Sequence, residues 1–171
     1  MTPVSILAAG AAGGGVLLLA STTAAPLQPH WLWNTTVSAP LGLYHVDPAR
    51  EVHVGDWLAI RPPAALAAWL DARGALPSGV LLLKRVAAVA PSQVCRRGAD
   101  ILVDGTLRAR AAPRDRRGWP LPRWEGCRQL QAGQMFVLNA EPRSLDSRYF
   151  GALPLSAVVG RARPVMLAKG G

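Results

Sequence analysis

Hydrophobic and polar residues alternate along most of this chain with the short period of β-strands, and only once with that of a helix. Leu43–Val46 and Trp57–Arg61 read as short strands joined by a turn around Val54-Gly55-Asp56, and Pro62-Pro63 stops the second. Ala64–Arg73 carries apolar residues at 66, 67, 69 and 70, which predicts a short amphipathic helix closed by Gly74. Val80–Val89 is an apolar run interrupted by Lys84-Arg85, the pattern of a mostly buried strand. Ile101–Val103 and Thr106–Arg110 flank Asp104-Gly105, a strong hairpin signal. Gln134–Asn139 reads as another buried strand, and Leu155–Val159 and Arg161–Met166 as closing strands around Gly160. Trp31–Pro40 is polar and extended, a linker entering the domain, and Ala112–Arg128 is irregular, with three prolines and five arginines. Short strands around one short helix predict a mainly β fold, an antiparallel folded sheet or small barrel.

The first 25 residues break this pattern. Val4–Ala20 holds no charge, and small uncharged residues extend the run toward Ala25. Trp31 and Trp33 follow, where an interfacial aromatic belt would sit. The segment reads as a single N-terminal transmembrane anchor, or else as a cleaved signal peptide lacking a basic n-region. Either way residues 1–25 are the membrane or signal segment, and residues 26–171 form one domain outside the cytoplasm. Cys95 and Cys127 fit that placement. A bridge between them would contribute about 3–4 kcal/mol in an oxidising compartment; the other reading is two unpaired thiols.

Composition narrows the chemistry. Of 171 residues 50% are hydrophobic and 17% charged, which excludes disorder of the chain as a whole. Two cysteines cannot build a four-cysteine zinc site or an iron–sulfur cage. HExxH, GxxxxGK[ST] and GxGxxG are all missing, so nothing calls for a metal, nucleotide or other cofactor. The net charge is +9, from 19 basic and 10 acidic residues. Seventeen of the basic residues are Arg, so the two lysines stand out. Lys169 lies in a terminal Ala-Lys-Gly-Gly, but Lys84 sits inside the apolar run where a cation is least expected.

An ammonium within an apolar strand must pair, reach solvent or become neutral. Period-2 alternation would turn Lys84 out to solvent and Arg85 the other way. The sharper reading is a desolvated amine with a lowered pKa, a competent general base. Ser38 is the best partner nucleophile, because Pro40 biases Ala39 to extended geometry and Gly42 permits a sharp bend before the Leu43 strand; its bland reading is an ordinary turn serine. His45, His53 and Asp56 lie close in sequence, yet no GxSxG elbow accompanies Ser38, so a Ser-His-Asp triad has little support. A third window is Ser144-Leu-Asp146-Ser-Arg148-Tyr-Phe-Gly151. On an extended segment Asp146 and Arg148 would face one side and pair, and Ser144 could hydrogen-bond a neighbouring amine. The alternative is a plain polar turn.

These windows, in this order, resemble the type I signal peptidase (leader peptidase) family, and most closely its conjugative-transfer, TraF-type branch. Ser38-Ala-Pro-Leu-Gly-Leu-Tyr44 is similar to that branch's nucleophile box. Gly55-Asp56, Leu83-Lys84-Arg85-Val86 and Ser144–Gly151 are similar to its second, lysine and carboxy-terminal boxes. The resemblance spans Thr36 to Gly151 and implies a membrane-anchored serine endopeptidase, facing the periplasm from the inner membrane. It implies Ser38 as nucleophile and Lys84 as base. The oxyanion hole would be formed by the Ser38 N–H and the Thr36 hydroxyl. Ser144 would orient the lysine, supported by Asp146 and Arg148. It also implies a membrane-tethered preprotein as substrate, in this branch a pilin precursor, and a type IV secretion or mating-pair apparatus as company. One departure is Leu138-Asn-Ala-Glu-Pro, where the family often carries Gly-Asp-Asn.

The alternatives are a general leader peptidase with many secretory substrates and a non-catalytic basic protein. Arg108–Arg128 holds seven arginines with Trp119 and Trp124 among them. Such a stretch could bind nucleic acid or anionic headgroups, or be a solvated loop. An exported domain meets little nucleic acid, so no nucleic-acid partner is expected.

Overall fold

The computed structural model describes residues 30–168. Both readings of residues 1–25 fall outside the described residues. Within the described residues no helix is long and apolar enough to cross a membrane.

Seven antiparallel strands form the main sheet. They are β1 (Trp31–Asn34), β2 (Gly42–Asp47), β3 (Trp57–Ile60), β4 (Leu82–Val89), β9 (Gln134–Val137), β10 (Leu153–Pro154) and β11 (Val158–Leu167), in spatial order β1-β2-β11-β3-β4-β9-β10. The remaining strands, β5 (Gln93–Arg97), β6 (Asp100–Val103), β7 (Thr106–Arg110) and β8 (Gly126–Gln129), make a second sheet ordered β7-β6-β5-β8. The main sheet ends on β1 and β10, so it is a folded open sheet and not a closed barrel. Helix α1 (Ala64–Ala72) lays Leu70 into a core of Leu58, Ile60, Leu82, Val86, Met135 and Val137. As its pattern foretold, it ends beside Gly74, whose φ is +61° and whose N–H donates to Asp71 O at 2.8 Å. A second core, with Val94, Ile101, Phe136 and Tyr149 at its centre, joins the two sheets.

Three expectations are corrected, and at the lysine one of two readings falls. Residues Trp31–Asn34 are not linker: they pair with β2, Asn34 opposite Gly42. At the lysine the desolvated reading holds and the alternation reading fails: Lys84 is 3% exposed, while Arg85 points to solvent. Leu82 and Leu83 are buried with Lys84, because both faces of β4 are covered at that end and alternation no longer reports the outside. The closing segment is a 3-10 turn over Leu155–Ala157 followed by one strand that runs through Gly160, where a Cβ would run into Asp47 O. Asp146 and Arg148 do pair, but not on an extended segment: Asp146 caps the short helix α2 (Ser147–Phe150).

Sequence reasoning also left out β5 and β8. Their register sets Cys95 opposite Cys127, and a disulfide joins these two across a separation of 32 residues. The bridge therefore ties the start of the second sheet to the end of the Arg-rich stretch.

Candidate active site

The tight loop between β1 and β2 carries Ser38. Asn34, 6% exposed, sits at the loop's base. Its Nδ2 donates to Thr36 O, Ala39 O and Pro40 O, each at 3.0 Å, and its Oδ1 accepts from Thr36 N at 3.2 Å. One buried amide thus satisfies the polar backbone of the turn and holds it in a single shape. Tyr44 Oη donates to Pro40 O at 2.8 Å. Gly42 has φ +142°, and a Cβ there would run into Met166 O, so no other residue lets β2 and β11 close at this point. The result is a half-buried Ser38 on a rigid turn.

The Thr36 hydroxyl lies 3.2 Å from Ser38 Oγ and donates to Asn34 Oδ1 at 2.9 Å. A hydroxyl carries one proton. With that proton on Asn34, Ser38 is the donor in the Thr36–Ser38 bond.

Lys84 arrives from β4. Its backbone is pinned on both sides by Asn139, whose Oδ1 accepts from Arg85 N at 2.9 Å and whose Nδ2 donates to Leu83 O at 3.2 Å. The Nζ donates to Ser144 Oγ at 2.9 Å, in a buried hydrogen bond. Burial lowers the Lys84 pKa to about 8; Asp146 opposes that shift and Arg148 reinforces it. The amine is thus neutral in an appreciable fraction of molecules near neutral pH.

Asp146 and Arg148 are each 1% exposed. Arg148 Nε donates to Asp146 Oδ1 at 2.8 Å and its NH2 group to Oδ2 at 3.0 Å, a two-pronged pair. The same guanidinium donates to Asn139 O at 2.7 Å and Pro142 O at 2.8 Å, which fixes the loop bearing Ser144. From the second sheet, buried Arg96 donates to Arg148 O at 2.9 Å.

Packing brings the two halves together. Ala39, next to Ser38, shares a small core with Leu83, next to Lys84, together with Tyr44 and Ala162. Thr36, Ser38, Lys84 and Ser144 line one cavity of about 630 Å³. Among the described residues no hydrogen bond joins Ser38 Oγ to Lys84 Nζ; each is held by its own neighbour, Thr36 or Ser144. The histidines stand elsewhere. His53 lies against Asp56 and Glu51 on the surface, His45 pairs with Asp47, and neither lines the cavity. Among the described residues no cluster of His, Cys, Asp or Glu suits a metal ion.

Asn34, Asn139 and Arg96 are the supporting residues that sequence reasoning missed. Asn34 opens the Ser38 window and Asn139 stands in the departure noted before Glu141, but an amide's partners are set by the fold and not by spacing.

The signal peptidase, peptidase S26 family model matches residues 5–167. A conjugal transfer protein TraF of Agrobacterium fabrum (strain C58 / ATCC 33970) is 35% identical over 144 residues, which cover 77% of this chain and 80% of that protein. The plasmid transfer protein TraF of Escherichia coli is 32% identical over 145 residues, or 78% of this chain and 81% of that protein. A signal peptidase I of Enterococcus faecalis V583, known from a crystal structure, aligns with 66% of this chain and 97% of its own. Its TM-score is 0.39 at 18% identity.

Proposed function

The chain belongs to the signal peptidase S26 family, in its TraF-type conjugal-transfer branch, and from that premise we propose a membrane-anchored serine endopeptidase with Ser38 as nucleophile and Lys84 as general base. The observation that carries the proposal is a buried amine with a lowered pKa in the same cavity as Ser38 and the Thr36 hydroxyl. Ser38 Oγ attacks the scissile carbonyl and forms the C–O bond. Lys84 Nζ takes the Ser38 proton and passes it to the leaving amine as the C–N bond breaks. A water then gives a proton to Lys84 and attacks the ester carbonyl, and as the C–O bond breaks Lys84 returns that proton to Ser38 Oγ, which regenerates both groups. Hydrogen bonds of this kind are long before the substrate arrives and tighten in the complex. The hydroxyl of Ser38 turns from Thr36 to Lys84, and Ser144 holds the amine at the depth of the strand from which it receives that proton.

The Ser38 N–H and the Thr36 hydroxyl stabilise the oxyanion. Thr36 must exchange its bond to Asn34 Oδ1 for one to the oxyanion. Thr36→Val is expected to lower kcat roughly 10²–10³-fold, with Thr36→Ser restoring most of the activity. Equal losses in both variants would show that the hydroxyl is not the donor.

The relatives named for conjugal and plasmid transfer support a dedicated substrate, a membrane-tethered pilin precursor within a mating-pair or type IV secretion apparatus. They also support a site of action at the inner membrane, with the catalytic domain, residues 26–171, in the periplasm. Exposed Trp31, Trp33 and Val37, beside and within the Ser38 turn, fit a domain resting on the bilayer. The test is to offer the full chain in membranes a pilin precursor from the same transfer system and an ordinary secretory precursor. Cleavage of the pilin precursor alone is expected; equal processing of both would make it a general leader peptidase.

A further inference from the structure

The Arg-rich stretch has no role in the chemistry above, yet it does not face away from it. Arg114, Arg116 and Arg117 line the same cavity as Ser38 and Lys84, together with Arg73 from the end of α1 and Arg143 from the loop before Ser144. Among the described residues, five arginines and only two carboxylates, Asp115 and Glu141, line this cleft. Asp115 is already used: it accepts from the N–H groups of Arg117 and Trp119, each at 2.9 Å, and lies 3.5 Å from Arg73. Among the described residues no carboxylate pairs with Arg114, Arg116, Arg117 or Arg143.

The basic wall is built. The Arg73 guanidinium stacks 4.3 Å from the Trp69 ring centroid and 5.4 Å from that of Trp119, and donates to Pro120 O at 3.0 Å. Arg117 lies 5.9 Å from the Trp119 ring and donates to Arg73 O at 3.2 Å. Arg114 donates to Gly118 O at 2.7 Å. Guanidinium groups fixed by rings and carbonyls keep free N–H donors in a preset fork, the geometry that suits carboxylates. Leu32, Val37, Leu81 and Leu145 supply apolar lining to the same cleft.

We propose that this wall is a specificity subsite that binds an acidic stretch of the substrate polypeptide while its scissile bond lies at Ser38. The inference rests on the peptidase reading. A peptide is favoured over a lipid headgroup because the arginines line the same cleft as the candidate nucleophile.

The test uses the full chain in neutral-lipid nanodiscs and quenched-fluorescence peptides spanning the cleavage site of a pilin precursor from the same transfer system. Paired peptides carry Glu-Glu or Gln-Gln at successive positions on either side of that site. At one position or more, the Glu peptide is expected to have a kcat/KM about tenfold higher at low salt, with the gap closing as salt rises. In the Arg116→Ser/Arg117→Ser variant that ratio falls toward one. A ratio near one at every position in the unaltered protein, or an undiminished ratio in the variant, overturns the subsite. Loss of binding to phosphatidylglycerol vesicles with the peptide ratio intact overturns it in favour of a headgroup site. Binding of the same peptides to Ser38→Ala protein separates the two proposals. If neither peptide is cleaved but Glu peptides still bind more tightly, the cleavage mechanism fails and the subsite stands.

Discussion

Ser38→Ala and Lys84→Ala are each expected to lower kcat for precursor cleavage roughly 10⁴–10⁶-fold, because nucleophile and base act as one unit. The double variant should be little worse than either single one. Lys84→Arg should fail as badly as Lys84→Ala, although it keeps charge, length and hydrogen-bond donors. A guanidinium does not lose its proton near neutral pH, so it cannot accept one from Ser38. Circular dichroism and the urea midpoint of each variant separate lost chemistry from lost fold. Retained cleavage in Lys84→Arg would remove Lys84 from the role of base, and retained cleavage in Ser38→Ala would remove Ser38 as nucleophile.

The second large effect lies behind the cavity. Arg148→Met leaves Asp146 charged and buried without its partner, at a cost of about 3–5 kcal/mol in stability, read as a lower urea midpoint. The same change acts on the amine. Arg148 disfavours the Lys84 ammonium and Asp146 favours it. Without the guanidinium, the unopposed carboxylate raises the Lys84 pKa above its value of about 8. Less neutral amine is then present at a given pH, so the alkaline rise in activity moves to higher pH. Destabilisation with an unmoved pH profile would assign the pair a purely structural part.

Much of the site was legible in sequence because lysine is rare in an arginine-rich chain and Lys84 interrupts an apolar run. Of the two readings of Lys84 only the desolvated amine holds. Alternation points Lys84 outward, but β4 is covered on both faces at Leu82–Lys84, and Arg85 is the residue that reaches solvent, donating to Gly55 O at 3.1 Å. Asp146 and Arg148 were legible as a pair; that Asp146 also caps a helix was not, since four residues leave no periodic trace. Two of the missed strands share one physical cause. Exposed Gly126–Gln129 and edge strand Trp31–Asn34 bury too few side chains to show alternation, and their pairing with β5 and β2 comes from distant residues. Asn34 and Asn139 were invisible for the same reason: each works by bonding backbone atoms that only the folded chain brings near.

The single-turnover acylation rate of a pilin precursor, followed across pH while the Lys84 ammonium is titrated by NMR, bears most directly on the Ser38–Lys84 pair. The rate should rise as Lys84 loses its proton, with both curves sharing a midpoint near its lowered value of about 8, and level off above it. A rate that stays flat while Lys84 titrates would contradict the assignment of that amine as the base.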